Sequence, residues 1–346
     1  MTENKYTPKI LVIYTGGTIG MIKDPQTGAL MPFNFDALYK HIPILETINC
    51  QIDSHSFDPL IDSSDMKPAF WIRLARVIEE NYNFYDGFVI LHGTDTMAYS
   101  ASILSFMLEN LNKPVVFTGS QLPMGVLRTD GRDNFINAIE IASAREDELP
   151  TVPEVCICFE NNIMRGNRTS KFNAENFNAF LSGNYPVLAK VGVHIRYNNQ
   201  YILPVNKEKL AVHTTLDTSV AILKLFPGIT LNVVQSILKI SGLKAVILET
   251  YGAGNAPTDK WFIDSLKEAI SSGITIFNVT QCKGGSVEMG KYATSIQLES
   301  IGVIGGFDIT TESAIAKLMY LLGEGYSGKE LGKLLQTPLR GELTVE

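Results

Sequence analysis

The sequence predicts an α/β fold: repeated βα units around a mostly parallel sheet, divided between two domains. Three observations carry this. Short β-branched runs alternate with helical stretches, glycine- and hydroxyl-rich segments follow the runs, and one polar, irregular stretch interrupts the series. Length agrees, since 346 residues with 45% hydrophobic content can bury a full core and lean toward two domains.

The strand runs are 10–14, 87–91, 115–118, 155–159, 245–248 and 274–279. The stretch 65–82 illustrates the intervening helices, with Asp65 as cap, Pro68 in the first turn, and Phe70, Leu74, Val77 and Ile78 on one face. Such an apolar stripe should pack on the sheet. The stretch 196–216, with Asn198, Asn199, Pro204 and Asn206, separates the first four runs from the last two. This sets an N-terminal domain at 1–198, a linker at 199–216 and a C-terminal domain at 217–346.

Composition excludes several classes of function. No apolar run approaches the roughly 18 residues of a membrane span, and the polar residues 1–9 are unlike a signal peptide, so no membrane association and a cytoplasmic location are expected. Cys50, Cys156, Cys158 and Cys282 are too few and too scattered for a disulfide framework. A net charge of −7 and a pI near 5.4 provide no broad positive field for nucleic acid. His41, His55, His92, His194 and His213 lack metal-ligand spacing, so neither a metal nor a cofactor is expected.

Open parallel sheets bind ligands at the carboxyl ends of their strands, which directs attention to the residues after each run. These are Thr15, Gly16, Gly17 and Thr18; then His92, Gly93, Thr94, Asp95 and Thr96; then Gly119, Ser120 and Gln121. The fourth run leads to RGNRTSK at 165–171, and the fifth to Tyr251, Gly252, Ala253, Gly254 and Asn255. Glycine lets the backbone turn tightly and bring amides to a ligand, while a nearby hydroxyl attacks or hydrogen-bonds it. Gly16, Gly17 and Gly20 do not form a dinucleotide loop, because no helix follows. Residues 21–32, with Pro25, Gly28 and Pro32, read instead as a mobile hairpin or lid. No serine elbow between glycines is present, so a hydroxyl nucleophile needs another base. Lys171, held near Asp95 and partly desolvated, is the natural one.

Blander readings stand beside these. Thr18 and Thr94 would cap turns; Asp62, Asp65 and Asp95 would cap helices, Asp65 above all; Lys171 would be a solvated charge. His92 reads as a hydrogen-bonded structural residue and Cys282 as a small buried hydrophobe.

Taken in order, TGGTIG at 15–20, DSSDM at 62–66, LHGTDTMAYSAS at 91–102, KPVVFTGSQLP at 113–123, RGNRTSK at 165–171, YGAGNAP at 251–257 and LRGELT at 339–344 make the chain resemble the bacterial type I, cytoplasmic L-asparaginases over nearly its whole length. The resemblance implies a larger N-terminal domain with a doubly wound sheet, a smaller C-terminal α/β domain, and assembly to a homodimer or homotetramer. It implies hydrolysis of L-asparagine, with Thr18 attacking the carboxamide carbon and Thr94, Asp95 and Lys171 as the supporting group. Asp62 and Asp95 would hold the substrate ammonium, Ser63 and Ser64 would receive its carboxylate, and Asn255 would reach the site across the dimer.

Two departures from the family pattern stand out. The family's lid tyrosine aligns with Ala29, and no tyrosine lies between Thr18 and Tyr39. In some members Ser170, Glu249 and Cys282 would match an allosteric asparagine site, with arginine expected where Glu249 stands; the reversed charge implies weak or absent substrate activation. The two departures together keep open a non-catalytic amino-acid sensor on the same scaffold. A third reading, an amidotransferase subunit acting on aminoacyl-tRNA, ranks last: it would be expected to carry an added RNA-contacting domain, whereas this chain ends soon after its second α/β domain. Selection of asparagine over glutamine rests on pocket depth, since a methylene is worth only about 1–3 kcal/mol.

Overall fold

The computed structural model describes residues 6–23, 30–32, 42–291 and 293–345. The chain divides into two compact units, Met1–His213 and Thr214–Glu346. Residues 199–213 stay with the first unit, where Ala211–Val212 pairs antiparallel with Leu108–Glu109.

The main sheet of the first unit has eight strands: β1 (Lys9–Tyr14), β2 (Gln51–Ser56), β3 (Gly87–Leu91), β4 (Val115–Thr118), β5 (Val155–Phe159), β6 (Asn162–Arg165), β7 (Ala189–Lys190) and β8 (Arg196–Tyr197). Their spatial order is β8-β7-β6-β5-β4-β3-β1-β2. The strands from β5 to β2 are parallel, and β6 to β8 extend the sheet antiparallel. The continuous apolar runs of β1, β3, β4 and β5 follow from burial on both faces. On one face Ile10, Val12, Val89, Val116 and Cys156 pack with Phe135, Ala138 and Ile139 of the helix Gly131–Ser143. On the helix Pro68–Asn81, proline occupies the first turn and Trp71, Leu74, Ala75, Val77 and Ile78 are buried.

That helix corrects one sequence expectation. Asp65 does not cap it; the residue at the cap is Lys67, whose extended backbone is what a following proline imposes. Asp62 does the capping nearby, accepting from the Ser64 amide of the single turn Ser63–Asp65. The edge strand β2 escaped the sequence reading because QIDSHS is almost wholly polar. Solvent on its outer side removes the demand for an apolar run.

The second unit holds four parallel strands in the order β9 (Val220–Lys224), β10 (Ala245–Thr250), β11 (Thr275–Thr280) and β12 (Ile304–Gly305). Leu223, Val246, Leu248 and Ile276 pack with Val234, Leu238, Phe262 and Leu266 from the helices Leu231–Leu238 and Lys260–Ser271. The helix Thr311–Gly323 also packs on this sheet.

The LRGELT segment is locked onto that last helix by a fully buried ion pair. Lys317 Nζ lies 2.6 Å from Glu342 Oε1 with both side chains 0% exposed. The amine also donates to the carbonyls of Leu335 and Thr337, and Glu342 accepts from the amides of Leu339 and Arg340. Burial still pulls Lys317 below its ordinary pKa, against the pull of Glu342. Glu342→Ala should therefore lower unfolding stability of the chain by about 3–5 kcal/mol, read from urea unfolding curves, because it strands a buried ammonium.

Candidate active site

The five parallel strands of the first unit run β2-β1-β3-β4-β5, so the direction of winding reverses between β1 and β3. Loops leaving neighbouring strands on opposite sides open a crevice at the strands' carboxyl ends. Thr15–Thr18 follow β1 there, and His92–Thr96 follow β3.

Backbone contacts stitch these loops together. The amide and hydroxyl of Thr15 donate to Leu91 O at 3.0 and 2.9 Å, and Ile61 N donates to Thr15 O at 2.8 Å. Gly17 has φ 88°, and a Cβ there would stand 2.5 Å from Gly93 N. A Cβ on Gly93 would in turn stand 2.4 Å from Ser63 Oγ. No side chain fits at either position without moving a backbone or the serine. The glycines thus bring Thr18, Thr94 and Ser63 into one neighbourhood. Thr96 Oγ1 donates to Ser63 O at 2.7 Å and fixes the third loop to the second.

Lys171 joins this cluster from elsewhere in the chain. Its Nζ donates to Thr94 Oγ1 at 2.8 Å and to Asp95 Oδ1 at 2.7 Å. The lysine side chain is 20% exposed while Asp95 is 63% exposed. The amine is therefore directed into the cluster rather than into bulk water, and it contacts a hydroxyl able to pass a proton onward.

The RGNRTS segment that precedes Lys171 is buried and serves as its foundation. Arg165 pairs with Glu154 at 2.5 Å, with both side chains nearly inaccessible, and also donates to Tyr201 O. Asn167 donates to Ser105 Oγ, and Thr169 to Arg165 O. Sequence reasoning did not assign the Glu154–Arg165 pair; an isolated glutamate before a strand carries no signal of its distant partner.

The loop carrying Asp62, Ser63 and Ser64 is bound into the same crevice. Asp62 Oδ1 accepts from Ser64 N at 2.9 Å and Ser64 Oγ at 2.8 Å, and these bonds hold its carboxyl below the ordinary value. Asp62 is exposed and stays ionised, a suitable partner for a ligand cation. Tyr14, at the end of β1, is 1% exposed, and burial pushes its phenol up to about 12. Ala29, Tyr39 and His41 lie outside the described residues; Met21–Lys23 and Leu30–Pro32 pair antiparallel as a hairpin.

The remaining candidates divide between the units. Ser170, in the first, is buried in the short pair Ser170–Lys171 with Phe180–Leu181. Asn255, Glu249 and Cys282 belong to the second. Asn255 accepts from Thr294 Oγ1 at 2.7 Å within the turn bridged by Tyr251 and Asn255. Glu249 is 8% exposed, bound by Thr311 Oγ1 at 2.6 Å and Lys224 Nζ at 3.2 Å. Cys282 is exposed, which corrects the expectation of a buried thiol: it sits beyond the end of β11, where the sheet no longer covers it. Among the described residues, no group of three or more His, Cys, Asp or Glu is arranged to hold a metal ion.

Fold and site define a two-domain α/β protein with a threonine–lysine–aspartate cluster at its topological switch point. Residues 9–203 match the family model "Asparaginase, N-terminal", and residues 219–335 match "Glutaminase/Asparaginase C-terminal domain". The chain is 44% identical over 341 residues to L-asparaginase 1 of Escherichia coli (strain K12), covering 97% of this chain and 98% of that protein. It is 40% identical to the 60 kDa lysophospholipase of Mus musculus, over 97% of this chain and 63% of that protein. The crystal structure of L-asparaginase I from Vibrio cholerae O1 biovar eltor superposes with a TM-score of 0.88 at 40% identity, covering 98% of this chain and 100% of that one. The chain belongs to the asparaginase family.

His92, at the root of the second loop, is 1% exposed, with Nδ1 2.6 Å from Gly93 O and its ring edge-on to Phe117. Burial lowers its pKa from 6.5 to about 4. The folded state therefore binds this proton less readily than the unfolded chain. The stability that a neutral His92 contributes is complete above pH 6.5 and is lost as pH falls toward about 4. Urea unfolding across that range should show His92→Phe with a shallower acid-side loss than the natural protein.

Proposed function

We propose that this chain is an L-asparaginase that hydrolyses L-asparagine to L-aspartate and ammonia through a threonine-linked acyl-enzyme. The observation that carries the reading is Lys171 Nζ bridging Thr94 Oγ1 and Asp95 Oδ1 at 2.8 and 2.7 Å in a chain of this family. Supporting it are relatives of 44% and 40% identity named L-asparaginases, with near-complete mutual coverage.

In this mechanism Thr18 Oγ1 bonds to the carboxamide carbon, its proton reaches the departing nitrogen, and the carbon–nitrogen bond breaks to release ammonia. Water then adds to the aspartyl ester, its proton returns to Thr18, and aspartate leaves. Lys171 relays protons through Thr94 Oγ1, while Asp95 holds the amine in place. Main-chain amides of the glycine loops stabilise the oxyanion. Asp62 and Asp95 take the substrate ammonium, and Ser63 and Ser64 its carboxylate. Two opposite charges on one small ligand orient the amide for attack and favour a free amino acid over a peptide.

The enzyme acts in the cytoplasm as a homodimer or homotetramer, with Asn255 reaching the partner's site. No helix among the described residues is long and apolar enough to cross a membrane. Substrate activation is weak or absent, because the Glu249 carboxylate, already bound by Lys224 and Thr311, opposes a substrate carboxylate.

Two experiments test this. Ammonia release from L-asparagine should fall by about 10²–10⁴-fold in both Thr18→Ala and Lys171→Met with the fold retained. Full activity in either variant, or binding of asparagine with no ammonia from the natural protein, overturns the mechanism, and the second result favours a sensor. Rate against asparagine concentration should be hyperbolic. A clearly sigmoidal curve that disappears in Glu249→Ala would sink the claim of weak or absent substrate activation.

A further inference from the structure

The segment that follows Lys171 is poorly anchored. Residues 172–178 are mostly exposed, with Phe172 at 57% and Phe177 at 42%, and burial resumes only at Ala179 and Phe180. Its own bonds are short-range: Phe172 N to Ala179 O, and Asn173 Nδ2 to Asn178 O. A segment with so little packing opens easily unless polar contacts hold it.

One side chain from across the site supplies such contacts. Gln121 Nε2 donates to Ala174 O at 3.2 Å and to Asn176 O at 3.1 Å. Both acceptors are carbonyls, so the amide has one permitted orientation, with nitrogen toward the hairpin. Behind it the backbone is rigid. Gln121 N donates to both oxygens of Asp130 at 3.1 and 3.0 Å, and Leu122 N to Oδ1 at 3.1 Å. Asn134 ties the same loop to the strands, donating to Gly119 O and accepting from Glu160 N. The path runs from a buried helix and the end of β4, through one carboxamide, to the hairpin whose first strand presents Lys171.

We propose that Gln121 is a positioning residue for Lys171: it holds the 171–181 hairpin so that Nζ meets Thr94 and Asp95 together. The proposal rests on the reading of Lys171 as the proton relay. Gln121 itself touches no reacting atom in this role. Its loss leaves the substrate's ammonium and carboxylate partners in place and displaces the amine.

The test compares Gln121→Met, which keeps length but removes both donors, with Gln121→Glu, which turns a carboxylate toward two carbonyls. For ammonia release from L-asparagine, kcat should fall about tenfold in Gln121→Met and further in Gln121→Glu, with KM within about threefold. The pH profile of kcat should move by about half a unit or more, since the environment of Lys171 changes. Amide exchange at Phe172 and Asn173 should quicken by about tenfold in Gln121→Met. A raised KM at unchanged kcat, an unmoved pH profile, or unchanged exchange at those amides overturns the proposal. Lys171→Met, run in parallel, separates the two layers. Full activity there defeats the proton-relay reading itself, whereas an inactive Lys171→Met beside a fully active Gln121→Met defeats only the positioning role.

Discussion

The site depends on two backbones touching. Gly17 and Gly93 approach so closely that a Cβ on either would collide with a neighbouring loop, and this contact lies where the sheet reverses its winding. Three hydroxyl-bearing candidates of the first unit lie around it. Thr18 follows one glycine and Thr94 the other, and Ser63 closes the third side. The strands supply rigidity, the reversal supplies the opening, and the glycines let hydroxyl-bearing residues crowd together.

Lys171 adds charge to this crowd at a controlled distance from water. Its amine is bonded to a partly buried threonine and to a largely exposed aspartate. Such an arrangement keeps the amine oriented while leaving a ligand access to the same carboxylate. The buried Arg165–Glu154 pair and the bonds of Asn167 and Thr169 make the approach to Lys171 stiff from the N-terminal side. On its C-terminal side the chain is exposed and held by polar contacts.

The second unit shows the same economy in another form. A buried lysine is tolerated at the helix Thr311–Gly323 because a carboxylate and two carbonyls complete its shell. That shell fastens the LRGELT segment, so the motif is explained by local structure without a catalytic role. Glu249 is likewise engaged by its own neighbours, Lys224 and Thr311.

The residues themselves determined the parallel strands 87–91, 115–118 and 155–159, the glycine–hydroxyl loops behind them, and the family resemblance, because each is written in contiguous stretches with their own periodicity or turn chemistry. They did not disclose β2, whose polar edge needs no apolar run, and they placed the main cap at Asp65, whereas Pro68 starts its helix after Lys67 and the capping side chain is Asp62. Exposure of Cys282 was also out of reach, since it depends on where a strand ends. The resemblance grouped Lys171 with Thr94 and Asp95, but only the tertiary structure gave their contact across 77 positions, and it alone decided that Gln121 meets Asn176 across 55 and Lys317 meets Glu342. Those meetings follow from how strands, helices and loops pack together, which no local pattern of residues encodes.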